Sequence, residues 1–162
     1  MDKRVLIEQL AAQIRQAAAV AQRAGEDAAT IARDGATPAE KREDARVALE
    51  FQSLAKGQTR RADKARAELA ALEAFRPPGL AANARIEVGA VVEVEDGDEG
   101  RTFFLAPVGA GVELTGPGGD GFLSVVTPAS PIGRAVLGKR SGDTFEVDVR
   151  GEAREWRITF VQ

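Results

Sequence analysis

The sequence predicts an α+β protein: a long antiparallel helical hairpin followed by a small, mostly antiparallel β domain with one short helix. Three observations predict it. The first 76 residues carry apolar positions at alternating spacings of three and four, the rhythm of paired helices. Arg76-Pro77-Pro78-Gly79 then ends any helix, because proline removes a donor and clashes with the preceding turn. Beyond it, Gly, Pro and Val accumulate, and apolar residues alternate with a period of two.

In the first helix the expected seam is Ile7, Leu10, Ile14, Ala17, Ala21, Ala24, Ala28 and Ile31. In the second it is Ala48, Phe51, Ala55, Ala62, Ala65, Leu69 and Leu72, with Gln58 as a polar intruder. Small alanines let two helices approach closely. Between the seams lies Arg33-Asp34-Gly35-Ala36-Thr37-Pro38. Gly35 suits the left-handed position that ends a helix, Thr37 suits a cap, and Pro38 suits a first helical turn. So short a connection makes the helices antiparallel. A second helix over 38–75 would be roughly 55 Å long at about 1.5 Å per residue. Gly57 inside it marks a bend or a close approach. The pattern alone also fits a dimerisation coiled coil; a probe that enters a partner accounts better for the length and the isolated tip. The domains are therefore placed at 1–76 (hairpin, tip near 34–44), 77–84 (linker) and 85–162.

In the second half, strands are expected over 85–95, 102–106, 111–115, 122–127, 144–150 and 154–161, with a short helical segment over 132–137. Trp156 reads as a core residue of the last strand.

Composition narrows the chemistry. There is no Cys and no His, which removes disulfides, thiolate metal sites and the usual general base. Residues 1–76 hold 14 basic and 12 acidic side chains, and residues 77–162 hold 8 and 13. Neither half has the positive excess of an independent duplex-DNA binder. Neither a signal peptide nor an apolar run of about 18 residues is visible, so a cytoplasmic protein without a membrane span is expected.

The most specific segment runs Thr127-Pro128-Ala129-Ser130-Pro131-Ile132-Gly133-Arg134-Ala135-Val136-Leu137-Gly138-Lys139, followed by Gly142-Asp143. It resembles the C-terminal signature of the Gre transcript-cleavage factors. The resemblance covers nearly the whole chain, including a strand opening like Gly89-Ala90-Val91-Val92. It implies an FKBP-like C-terminal domain that binds bacterial RNA polymerase, with Ser130, Pro131, Ile132, Gly133 and Lys139 as polymerase-binding residues. It also implies a hairpin that enters the polymerase's secondary channel and acts on the nascent RNA 3′ end of a backtracked complex.

At the tip, cleavage-active Gre factors carry a Gly-Asp-x-x-Glu-Asn-Ala pattern. Pro38-Ala39-Glu40-Lys41-Arg42-Glu43-Asp44-Ala45 is similar to it. Glu40 and Glu43 fall on the two acidic positions, and Asp44 stands where the family has Asn. The resemblance makes Glu40 and Glu43 the assisting carboxylates toward the polymerase Mg²⁺, with Asp44 secondary, and makes Arg42 and Arg46 RNA contacts. No permanently bound cofactor is expected. Residues three apart share a helix face, so both glutamates can point to one site. Thr37-Pro38-Ala39-Glu40 is equally a capping box, which alone explains a glutamate at 40. The resemblance thus implies a monomeric factor that stimulates RNA cleavage by polymerase and is no enzyme by itself. The alternative is a channel-binding regulator of the same architecture without cleavage activity. A peptidyl-prolyl isomerase ranks third, since a domain without Tyr is poor in the aromatics such pockets use.

Overall fold

The computed structural model describes residues 2–34, 43–81, 84–97, 99–116, 119, 121–149 and 151–162; side chains are described for these except at 43, 44 and 149. The elements in order are α1 (Lys3–Asp34), α2 (Glu43–Ala74), β1 (Val91–Asp96), β2 (Glu99–Leu105), β3 (Glu113–Thr115), β4 (Phe122–Val126), α3 (Pro131–Val136), β5 (Thr144–Val149) and β6 (Glu152–Val161). Contacts divide the chain into two compact units: Ala12–Ala70, and Met1–Ala11 together with Ala71–Gln162.

The first unit is the body of the hairpin. Ile14, Ala21, Ala28 and Ala32 of α1 are buried, as are Ala62 and Ala65 of α2, while Ala48, Phe51, Ala55, Gln58 and Leu69 are half-buried. The α2 seam follows the expected positions. The α1 seam departs from them: Ala17 and Ile31 are exposed, and Gly25 and Ala32 take the buried places. The reason is the helix repeat. Stepping about 3.6 residues from Ile14 reaches 18, 21, 25, 28 and 32, whereas a strict heptad reaches 17, 21, 24, 28 and 31. The close approach also falls on Gly25, where a Cβ would lie 3.3 Å from the Gln58 Cβ, and not on Gly57, which faces open space.

The second unit is a six-stranded sheet in the order β3-β4-β2-β1-β6-β5. Every pairing is antiparallel except β2–β4, which is parallel because the chain passes through β3 before returning beside β2. β1 begins at Val91, six residues later than alternation suggested. Over 86–90 the backbone is engaged elsewhere: Ile86 exchanges hydrogen bonds with Gly138 and Lys139, and the Gly89 N–H donates to the Leu105 carbonyl.

One face of the sheet carries the main core: Val92, Val94, Phe103, Leu105, Val126, Phe145, Val147, Trp156 and Ile158, closed by Val136, Ile132 and Ala135 of α3. Trp156 is buried here, as expected for a core residue. On the other face, strand register lines up Leu114, Leu123, Val125, Phe104 and Val91, all at most 3% exposed. The first turns of α1 belong to the same unit as the sheet. Leu6 and Leu10 are fully buried, and a Cβ on Gly109 would lie 2.7 Å from the Leu10 Cδ1. Buried apolar area of this kind contributes about 25 cal/mol per Å².

Helix ends are satisfied locally. The Asp2 carboxylate accepts the Arg4 N–H at 3.0 Å at the start of α1. The Arg76 guanidinium donates to the Glu73 and Phe75 carbonyls at 2.7 and 2.9 Å after the end of α2. Among the described residues no helix is long and apolar enough to cross a membrane.

Candidate functional site

The Ser130–Lys139 segment builds its own scaffold. Ser130 caps α3 at φ −72° and ψ 154°, its Oγ accepting the Gly133 N–H at 3.0 Å and donating to the Thr127 carbonyl at 2.8 Å. Pro131 stands in the first turn, where a missing N–H costs nothing. Gly133 is there for space: a Cβ would sit 1.9 Å from the Thr127 carbonyl oxygen. The Arg134 guanidinium donates to the Ala129 carbonyl at 2.7 Å. The Leu137 N–H donates to the Gly133 carbonyl at 3.1 Å and ends the helix. Gly138 and Lys139 then bond back to Ile86 at 2.8 Å on each side. Asp143 closes the next turn, its Oδ2 accepting the Arg140 N–H at 2.8 Å.

The five residues of this segment singled out from sequence therefore separate. Ser130 and Gly133 face inward on the scaffold. Pro131 is exposed, and Ile132 and Lys139 are half-exposed. Ile132 also lines a small apolar cleft with Phe103, Phe145, Val147, Trp156 and Arg101. The Arg101 guanidinium lies 5.2 Å over the Trp156 ring, a cation–π contact that closes this cleft. The free space is about 10 Å³, at the lower limit for one water. Arg101 carried no sequence signal, because its partner comes from a distant strand.

The hairpin places fewer of the expected groups. Glu40 and Arg42 lie outside the described residues. Glu43 and Asp44 open the described part of α2. Arg46 is exposed one turn further on, its Nε 3.3 Å from the Glu50 carboxylate, an i,i+4 pair on solvated side chains. Further along, Gln58, Arg61, Lys64 and Glu68 of α2 face Gln13, Gln16 and Val20 of α1 across an open groove of about 680 Å³. Among the described residues no three His, Cys, Asp or Glu side chains gather as a metal site.

One perturbed group sits at the hairpin base. Lys3 is 9% exposed, and its Nζ donates to the Pro78 carbonyl at 3.0 Å. Burial pushes its ammonium below the ordinary 10.5, partly opposed by the nearby Glu87 carboxylate.

Together these features define an α+β class in which a long helical hairpin precedes a mostly antiparallel sheet domain with a Ser-Pro-Ile-Gly helix start. Residues 81–162 match the family described as "Transcription elongation factor, GreA/GreB, C-term". The chain belongs to the GreA/GreB family of transcription elongation factors. A transcription elongation factor GreA of Ralstonia nicotianae is 35% identical over 96 residues, 59% of this chain and 56% of that protein. The match therefore spans little more than half of that relative's length. Among solved structures, GreA factor homolog 1 (Gfh1) of Thermus thermophilus is 23% identical, with 94% of each chain covered and a TM-score of 0.40. A GreA/GreB elongation factor from Nitrosomonas europaea is 21% identical, covering 72% of this chain and 91% of its own, with a TM-score of 0.38.

Proposed function

We propose that this chain binds bacterial RNA polymerase through its C-terminal domain and inserts its hairpin into the secondary channel. There it stimulates the polymerase's own Mg²⁺-dependent cleavage of the RNA 3′ segment in backtracked complexes. The observation that carries this reading is the family match over 81–162, joined to two 32-residue helices with Glu40 in the sequence between them and Glu43 at the start of α2. Of the five motif residues singled out from sequence, Pro131, Ile132 and Lys139 offer side-chain surface to a partner, while the Ser130 hydroxyl and Gly133 are committed to Thr127 and hold them in place. Arg42 and Arg46 are the proposed contacts to the extruded RNA.

Mg²⁺ bound between the phosphodiester and the polymerase would stabilise the attacking and leaving oxygens. It takes carboxylate oxygens and keeps several waters, so one or two carboxylates suffice to complete a site built by another protein. Glu43 and Glu40 are carboxylates of that kind, with Asp44 one residue further on; a histidine is not required and the sequence has none. The chain holds no self-sufficient active site under this reading and is not an enzyme alone.

The second reading is a channel-binding regulator without cleavage activity. It rests on the tip sequence, where Glu40 has one methylene more than the family aspartate and stands in a capping box after Thr37. Backtracked polymerase carrying 3′-labelled RNA separates the two. Wild-type protein is expected to release short 3′ fragments, and Glu43→Ala is expected to lose at least about tenfold of that rate while still competing for polymerase, the loss of one transition-state electrostatic group. Binding by the wild type without fragments above polymerase alone would overturn the first reading and leave the second.

A further inference from the structure

We propose that Gln9 is a positioning residue that seats the base of the hairpin on the sheet by acting as a one-residue strand. β3 is an edge strand of three residues. Val112, on its near side, accepts from Val125 of β4, so alternation turns the N–H and C=O of Thr115 away from β4 toward the open edge. Both groups are taken by one side chain. The Thr115 N–H donates to the Gln9 Oε1 at 3.0 Å, and the Gln9 Nε2 donates to the Thr115 carbonyl at 3.1 Å. A carboxamide presents one acceptor and a donor side by side, as a peptide group does. Glutamate lacks the donor, and asparagine is one methylene shorter.

The neighbouring contacts show why this pair sets a position. Leu10, the next residue, is fully buried where Gly109 leaves room for it. Two turns earlier, the Lys3 Nζ holds the Pro78 carbonyl. Apolar burial fixes how deeply the first turns of α1 sit but is non-directional. The reciprocal amide pair is directional and sets their rotation and slide along the edge strand. These first turns, through Ala11, belong to the sheet-bearing unit, and α1 starts from this seat. One consequence rests on the proposed function: Gln9 should then govern the rate of cleavage at saturation more than affinity for polymerase.

The test compares wild type, Gln9→Glu and Gln9→Asn. The chain has no cysteine, so spin labels at Glu8→Cys and Asp148→Cys, both in the sheet-bearing unit, are the only thiol adducts. Wild type is expected to give one narrow distance distribution and a protected Thr115 amide. Both variants are expected to broaden the distribution and to raise Thr115 amide exchange by about tenfold or more through local opening. In the cleavage assay their maximal rate should fall several-fold with the half-saturating concentration within about twofold, a split that general loss of fold does not produce. Unchanged exchange and an unchanged distribution in Gln9→Glu overturn the proposal whatever the cleavage result. A wild type that stimulates no cleavage refutes the function alone, because the exchange and distance measurements still decide the seat.

Discussion

Gly133 and Gly57 are both helical glycines, and the structure gives their replacement by alanine opposite signs. In an exposed helix interior, Gly→Ala stabilises by about 0.5–1 kcal/mol, from helix propensity and from the lower entropy of the unfolded chain. Gly57 meets nothing within 4 Å, so that gain should appear in full. At Gly133 the new methyl would fall 1.9 Å from the Thr127 oxygen and 2.9 Å from the Ser130 Oγ. The obstacle is backbone, which cannot swing aside as a flexible side chain would. Relief requires Thr127 to move, and its carbonyl accepts both the Ser130 N–H at 2.9 Å and the Ser130 hydroxyl at 2.8 Å. Each hydrogen bond weakened costs about 0.5–1.5 kcal/mol, and forcing a methyl into a packed site costs about 1–3 kcal/mol more. Against the gain in propensity, the net for Gly133→Ala is a loss of about 2–4 kcal/mol. Urea unfolding measures both: fluorescence of Trp156, the single tryptophan and a core residue, reads Gly133→Ala within its own unit, and helical circular dichroism reads Gly57→Ala in the hairpin body. A Gly133→Ala protein as stable as wild type would refute the steric argument, and a destabilised Gly57→Ala would refute its counterpart.

Leu10→Ala should cost about 2–5 kcal/mol in the same urea measurement, since the side chain is fully buried beside Gly109; a cost under about 1 kcal/mol would mean the hairpin base is not part of the sheet-bearing unit. Lys3 should make stability pH-dependent in a defined direction. Its folded pKa lies below 10.5, first through burial and despite Glu87, so between that lowered value and 10.5 the unfolded chain binds more protons. The penalty is fully present at neutral pH and fades as pH climbs through this window. Stability of the wild type relative to Lys3→Met should therefore rise with pH toward 10.5, and a flat or falling difference would contradict the burial argument.

Rhythm and punctuation made the hairpin legible: the Pro-Pro break, the α2 seam and the Ser130 cap all stand where local rules put them. What escaped was whatever depends on accumulated geometry or on distant partners. The α1 seam moved from Ala24 and Ile31 to Gly25 and Ala32 because a tenth of a residue per turn adds up over 32 residues. The parallel β2–β4 pairing depends on where β3 is inserted, which alternation does not encode. Arg101 found Trp156 only through the sheet. Glu40 and Arg42, on which the cleavage reading depends, lie outside the described residues, so that reading rests on sequence resemblance.

The motif that identified the family does most of its service inside the domain. Ser130 and Gly133 are committed to Thr127, while Gly138 and the Lys139 backbone are committed to Ile86. Pro131, Ile132, Arg134, Leu137 and the Lys139 side chain retain surface for a partner. A run of residues can thus be diagnostic of a family because the fold tolerates few substitutes, without most of them touching anything else. Under the proposed function the tip answers to a different demand, a pair of carboxylates, of which Glu40 is one methylene longer than the family aspartate. Two chains can therefore share the Ser130–Lys139 scaffold and differ in whether they promote cleavage. For this chain the deciding measurement lies at Glu43 and Glu40, while stability measurements on the C-terminal domain bear only on how the probe is held.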